Sequence, residues 1–277
     1  MIPTKPLSRA GGTIPALGLG VFRMAGDDTA RMVKTALELG YRHIDTAQVY
    51  DNEADVGRGV AESGIAREEV FITTKVWVDH YRAADFRQSV RGSLERLRTD
   101  YVDLLLLHWP SRNVPLAEQI AALNDARASG QARHIGISNF NTTLMRQAAE
   151  LSQAPLVNNQ VEYHPYLDQS AVRAQARQLG MSITAYYGMA DGKALQDPII
   201  AAVAQRLGKT PAQIVLRWLV QQDDVIALTK TLRADRAADN ARIFDFELGA
   251  DDMWRLSALA RPDGRLVAPA GLAPQWD

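Results

Sequence analysis

Cysteine is absent from the 277-residue sequence. Disulfides, thiolate nucleophiles and cysteine-ligated metals are thereby excluded, and a reducing compartment fits. Long apolar runs are missing too, since no stretch approaches the ~20 residues of a membrane span. The opening Met1-Ile2-Pro3-Thr4-Lys5-Pro6 lacks the apolar core of a signal peptide. A soluble, cytoplasmic protein is therefore expected. Charge is nearly balanced, at a formal −1, and forms no basic stripe, which argues against nucleic acid as a partner. The histidines His43, His80, His108, His134 and His164 are scattered without ligand spacing, so no metal is expected. A Gly-x-Gly-x-x-Gly fingerprint does not follow the first strand, which excludes the usual dinucleotide turn.

What is there is a chain 47% hydrophobic and 23% charged, near the ~250 residues typical of a (β/α)8 barrel. Gly11-Gly12 marks the turn of a small hairpin within residues 1–15. Strands then alternate with helices. The strands read Ala16–Val21, Arg42–Asp45, Val70–Lys75, Val102–Leu107, Ala132–Ile137, Leu156–Val161, Ser182–Tyr186 and Val225–Leu228. Between them come helices over Ala30–Leu39 (with Asp27 as its N-cap), Asn52–Ser63, Ala83–Arg98, Leu116–Ser129, Asn141–Leu151 and Gln169–Leu179. Helices near 198–207, 211–222 and 234–242 and an extra one over Ala250–Ala260 complete the pattern. Eight short Val/Ile/Leu-rich strands alternating with helices predict a parallel (β/α)8 TIM barrel. The hairpin would close one end, and residues 263–277 would form a loop over the other. No linker interrupts the chain, so one domain over 1–277 is expected.

Polar residues stand just past the apolar runs: Asp45 and then Tyr50, Lys75, and His108. In a parallel barrel that end carries the chemistry, and the four read as one active site. Taken singly, the tyrosine is a packing residue, the Asp–Lys pair a salt bridge and the histidine structural.

Gly40-Tyr41-Arg42-His43-Ile44-Asp45-Thr46-Ala47, Leu105-Leu106-Leu107-His108-Trp109-Pro110 and Ile135-Gly136-Ile137-Ser138-Asn139-Phe140 resemble the signatures of the aldo-keto reductases. The likeness runs in order through nearly the whole chain. The C-terminal Asp263–Val267 and Gly271–Asp277 segments resemble, more narrowly, the prokaryotic 2,5-diketo-D-gluconate reductases, which also act on methylglyoxal. The resemblance implies NADPH-dependent reduction of small dicarbonyls, keto-sugar acids, keto-esters or aromatic aldehydes by a monomeric enzyme. Tyr50 would give the proton, and Lys75 would lower its pKa from the ordinary ~10. Asp45 would hold Lys75, and His108 would orient the carbonyl.

The same resemblance implies that Gly20, Val21, Asp45, Ser138, Asn139 and Gln160 meet the nicotinamide half of NADPH. Tyr186 would stack on the ring. Lys230 and Arg236 would clamp the 2′-phosphate, with Thr231, Asp239 and Asn240 at the adenine end. A solvated basic helix face would account for those charges equally. Thr229 stands where the family most often has Pro, and Tyr187-Gly188-Met189 replaces a Ser-Pro-Leu type loop. Phe22, Trp77, Trp109, Trp276 and His108 would wall the substrate pocket. The tail's Leu266, Val267, Leu272 and Trp276 imply burial across that mouth. Two other functions stay open. One is an NADP(H)-binding regulatory or redox-sensing subunit on the same barrel. The other is a barrel isomerase or hydrolase, which would need paired carboxylates or metal ligands.

Overall fold

A computed structural model describes residues 1–277. Strands β1 (Thr4–Pro6) and β2 (Thr13–Pro15) pair antiparallel as the expected hairpin. Eight parallel strands follow: β3 (Leu17–Gly20), β4 (His43–Asp45), β5 (Phe71–Val76), β6 (Val102–Leu107), β7 (Ala132–Ser138), β8 (Leu156–Glu162), β9 (Ser182–Tyr186) and β10 (Val225–Thr229). They close into a barrel in the order β10-β3-β4-β5-β6-β7-β8-β9. The helices outside are α1 (Gly26–Glu38), α2 (Glu53–Ser63), α3 (Ala83–Leu97), α4 (Leu116–Ala128) and α5 (Thr142–Leu151). After them come α6 (Ser170–Leu179), α7 (Pro198–Leu207), α8 (Pro211–Val220), α9 (Ala234–Ala241) and α10 (Ala250–Ser257). No helix is long and apolar enough to cross a membrane.

The strands are legible because both their faces are covered. Every residue of β5, β6 and β8 is buried, so these strands show no alternation of buried and exposed positions. Leu104 and Leu106 of β6 join Val157, Ile226 and Phe71 in a separate apolar cluster. Leu7 and Ile14 of the hairpin complete that cluster, so the hairpin plugs the barrel end remote from the polar strand termini.

Two helix starts differ from expectation. Helix α1 begins at Gly26, with Ala25 at the N-cap and no side-chain cap. Asp27 and Asp28 lie in its first turn instead, where their charge still favours the helix dipole. Helix α5 begins after Asn141, whose side chain accepts from Leu144 N at 2.8 Å.

Close packing around α2 depends on glycine. A Cβ at Gly59 would sit 2.5 Å from the Ala30 carbonyl oxygen of α1. A Cβ at Gly57 would meet the backbone of Arg96 and Leu97 almost as closely, at 2.7 Å. Gly59→Ala gains helix propensity of ~1 kcal/mol, but overpacking against a fixed backbone costs ~1–3 kcal/mol and wins. Urea denaturation should show a lower unfolding midpoint for Gly59→Ala. An unchanged or raised midpoint would mean that α1 and α2 can separate freely.

Candidate active site

The C-terminal ends of the strands bring the four polar residues together. Lys75, at the end of β5, is completely buried, and its Nζ donates to Asp45 Oδ1 at 2.6 Å. It also donates to the Thr46 carbonyl at 2.7 Å and to the Tyr50 hydroxyl at 3.4 Å. Tyr50 closes a short 3-10 turn over Gln48–Tyr50. That turn is fixed by Asn52, whose amide donates to the carbonyls of Val21 and Met24, both at 2.9 Å. The rings of Tyr50 and His108 meet edge-on, with centroids 5.6 Å apart.

A buried ammonium is tolerated when it is paired and hydrogen-bonded. Burial lowers the Lys75 pKa, while Asp45 raises it. The Tyr50 phenol is pushed well above the ordinary tyrosine range, by burial first and by the Asp45 charge second. The depression expected from Lys75 thus does not prevail, because desolvation of a phenolate outweighs one ammonium already paired with Asp45. Tyr50 stays protonated. His108 is held well below the usual histidine range by burial and then by Lys75. It is a neutral imidazole, with one N–H to donate.

The expected nicotinamide-side residues form one hydrogen-bonded set with these four. Asp45 Oδ2 accepts from Gln160 Nε2 at 2.7 Å. Ser138 Oγ donates to the Gln160 carbonyl at 2.8 Å, and Asn139 Nδ2 donates to the His108 carbonyl at 3.0 Å. The Tyr186 hydroxyl donates to Asn139 Oδ1 at 2.7 Å. Asn139 has a left-handed φ of 64°, which asparagine tolerates better than most residues. Gly20 ends β3 beside this set, and a Cβ there would meet only ordinary contacts from Leu228 and Thr229. Val21 is fully buried, and its N–H donates to the Asp45 carbonyl. Its own carbonyl is occupied by Asn52, so Val21 offers no free polar group.

The adenine-end residues lie after β10. Lys230 and Arg236 are exposed, and neither forms any of the chain's salt bridges. Arg233, between them, is paired with Asp235. Thr231 Oγ1 accepts from Arg233 N at 3.1 Å, and the Asp239 carbonyl accepts from Gln213 Nε2 at 2.8 Å. Asn240 is buried, and its amide donates to Thr229 Oγ1 at 2.8 Å. The Thr229 hydroxyl thus ties β10 to α9. Sequence reasoning missed Arg23. It lies close enough to Lys230 to lower the lysine's pKa, after burial, and its guanidinium stands 5.0 Å from the Phe22 ring centroid. Its left-handed φ of 58° is a signal that only coordinates carry.

Aromatic groups surround Asp45, Tyr50, Lys75 and His108. Phe22 is exposed and packs 4.9 Å from the Tyr50 ring, while Trp77 stands 5.2 Å from His108. Trp109 is buried and faces Trp276 at 6.5 Å. A polar cleft of about 730 Å³ opens alongside, lined by Gln48, Trp77, His80, Arg91 and Arg96 among others. It shares Trp77 with the rim but contains none of those four residues.

The tail follows a path different in kind from the apolar docking expected. Leu266 is exposed, and Val267, Leu272 and Trp276 are only half-buried. Polar contacts hold the segment instead. Leu266 N and Val267 N donate to the two oxygens of Glu162, at 2.7 and 2.9 Å. Near the end, Asn141 Nδ2 donates to the Gln275 carbonyl at 2.7 Å, and Thr142 Oγ1 donates to Asp277 Oδ1 at 2.6 Å.

A parallel eight-stranded barrel with a buried Asp–Lys pair, a protonated tyrosine and a neutral histidine at its C-terminal mouth defines an oxidoreductase class. The chain belongs to the aldo/keto reductase family, whose model matches residues 16–261. It is 46% identical over 267 residues to the methylglyoxal reductase DkgB of Escherichia coli O157:H7, covering 95% of this chain and 99% of that one. A crystal structure of a candidate 2,5-diketo-D-gluconic acid reductase B superposes with a TM-score of 0.97 at 57% identity, over 99% of this chain and 98% of that one. The aldo-keto reductase of Bombyx mori in complex with NADP gives a TM-score of 0.90 at 32% identity, over 98% and 96% of the two chains.

Proposed function

We propose that the protein reduces aldehydes and ketones to alcohols with NADPH, and that small dicarbonyls and keto-sugar acids are among its substrates. The observation that carries this reading is the Asp45–Lys75–Tyr50 contact beside neutral His108. NADPH supplies the hydride when bound. The chain's own residues fit such a group. Ser138, Asn139 and Gln160 offer amide and hydroxyl groups fixed by mutual hydrogen bonds. Tyr186 is oriented by Asn139. Arg23, Lys230 and Arg236 are cations outside the chain's ion pairs, the donor set a phosphate requires.

Each catalytic side chain has a separate task. Tyr50 gives its proton to the oxygen of the reduced carbonyl, and the adjacent Lys75 ammonium stabilises the phenolate that remains. Asp45 keeps Lys75 charged and in place. His108, being neutral, donates one hydrogen bond and sets the angle of the carbonyl without taking the proton itself.

The test is a screen of NADPH consumption with methylglyoxal, keto-sugar acids, keto-esters and aromatic aldehydes, alongside NADPH titration by fluorescence. Turnover with at least one of these classes is the expected result. Tight NADPH binding without turnover of any carbonyl would favour a regulatory, cofactor-sensing subunit instead.

A further inference from the structure

The polar cleft beside the catalytic mouth lies between the turn that carries Tyr50 and helix α3. Its volume of about 730 Å³ falls within the ~300–1,000 Å³ of small-molecule sites. Of its twelve lining residues only Val49 and Trp77 are hydrophobic. Asp51 stands on one wall, and α3 contributes Asp85, Gln88, Arg91 and Glu95 on the other. None of these five side chains forms an ion pair or hydrogen bond within the chain. Acids and bases thus converge across one concave space with their bonding capacity free. Arg96, by contrast, is forked onto the buried Glu53 through Nε and Nη2, at 2.9 and 2.7 Å.

The walls are held in place from within. Trp77 N donates to Gln48 Oε1 at 3.0 Å, and Gln48 Nε2 donates to Ser93 Oγ of α3 at 3.1 Å. Glu53, behind Arg96, accepts from Thr74 Oγ1 at 2.5 Å. A cleft braced in this way loses little freedom when a ligand enters. Its charges decide which ligand. An anion would meet Asp51, Asp85 and Glu95, and a cation would meet Arg91 and Arg96. A hydroxyl both donates and accepts, so neighbouring hydroxyls can donate to a carboxylate while accepting from a guanidinium. Half-buried Trp77 adds an aromatic ring suited to the C–H face of a sugar, and it meets His108 edge-on at 5.2 Å.

We propose that this cleft is a second binding site, separate from the catalytic mouth, for an uncharged pyranose sugar. The carboxylates of Asp51, Asp85 and Glu95 accept from its hydroxyls, and Arg91 and Gln88 donate to them. Trp77 packs against the C–H face of the ring, so an occupant bears on a residue that touches His108. Binding there does not require the protein to reduce a carbonyl.

The experiment titrates the full-length protein, with NADPH bound, by calorimetry. The probe is methyl α-D-glucopyranoside, which has no free carbonyl to reduce, and its charged counterpart is the methyl glucuronide. The parent should bind the glucoside at one site. Asp85→Ala with Arg91→Ala should weaken that binding by roughly tenfold or more, the range of one charge-assisted contact, and leave NADPH affinity unchanged. The glucuronide should bind the parent at least roughly threefold more weakly than the glucoside, because it meets the three acids. Gln88→Trp fills the cleft from an exposed position and should abolish binding, so it reads the site even if the double variant does not fold. No binding of the glucoside to the parent overturns the site. Unchanged affinity in the double variant, or in Gln88→Trp where the double variant does not fold, places the sugar elsewhere and overturns it. An equal loss of NADPH affinity assigns Asp85 and Arg91 to the fold and likewise overturns it. Glucuronide binding as tight as that of the glucoside overturns the choice of an uncharged ligand. Failure of the carbonyl screen would touch the reductase reading alone, since no turnover enters these titrations.

Discussion

Tyr50→Phe is expected to lower kcat for carbonyl reduction by roughly two to four powers of ten, the usual contribution of a positioned general acid. Tyr50 is the hydroxyl that Lys75 Nζ contacts, at 3.4 Å, and its ring lies against His108. The other phenol near the set, Tyr186, is turned away to donate to Asn139 at 2.7 Å. His108 is not a substitute acid, since burial and Lys75 keep it neutral. The substitution removes one oxygen and keeps the ring that packs against Phe22 and His108. The fold should therefore survive, and NADPH affinity should stay within roughly threefold, because the hydroxyl is not one of the groups assigned to the cofactor. Alcohol oxidation should fall by a similar factor, because the reverse reaction returns the proton to the same oxygen. Stopped-flow turnover and fluorescence titration measure these quantities. Full reduction by Tyr50→Phe would remove the proposed proton path and leave the buried Asp45–Lys75 pair as a structural feature.

Much of this site is readable from the sequence because barrel strands place polar residues at their C-terminal ends. Phe71-Ile72-Thr73-Thr74-Lys75 shows Lys75 as a cation ending an apolar run, and burial of the whole strand follows from the parallel sheet. What sequence does not show is the balance of opposing effects. Proximity of Lys75 to Tyr50 implies a lowered phenol pKa, yet the degree of burial reverses the sign. Contacts distant along the chain are equally hidden. Arg23 gains meaning only beside Lys230, and Glu162 only when residues 266 and 267 return to it. The four large apolar residues of the tail pointed to burial, but backbone donors to a carboxylate fix its course instead. Thr229 is a similar case: that its hydroxyl accepts from Asn240 is visible only in the coordinates.

The double substitution Lys230→Ala, Arg236→Ala is expected to shift cofactor preference more than any other change at the adenine end. Both side chains are exposed and outside the ion pairs of the chain, whereas Arg233 is taken by Asp235. Partial desolvation, then the nearby Arg23, lowers the Lys230 pKa, so a site holding two cations close together is stabilised by an anion between or beside them. NADPH carries a 2′-phosphate that NADH lacks. A charge-assisted contact contributes ~1.5–3 kcal/mol, so losing two should weaken NADPH by roughly a hundredfold or more, even without full additivity. NADH should change by less than roughly threefold, since neither cation meets a group it possesses at that position. Raising salt should weaken NADPH binding to the parent protein and have much less effect on the double variant, because screening acts on the charges that have been removed. Thermal denaturation of the two proteins should coincide, as exposed unpaired cations contribute little to the fold. Equal weakening of both cofactors, or a lower melting temperature matching the loss in affinity, would assign Lys230 and Arg236 to supporting α9 and leave phosphate recognition to Arg23 and its neighbours.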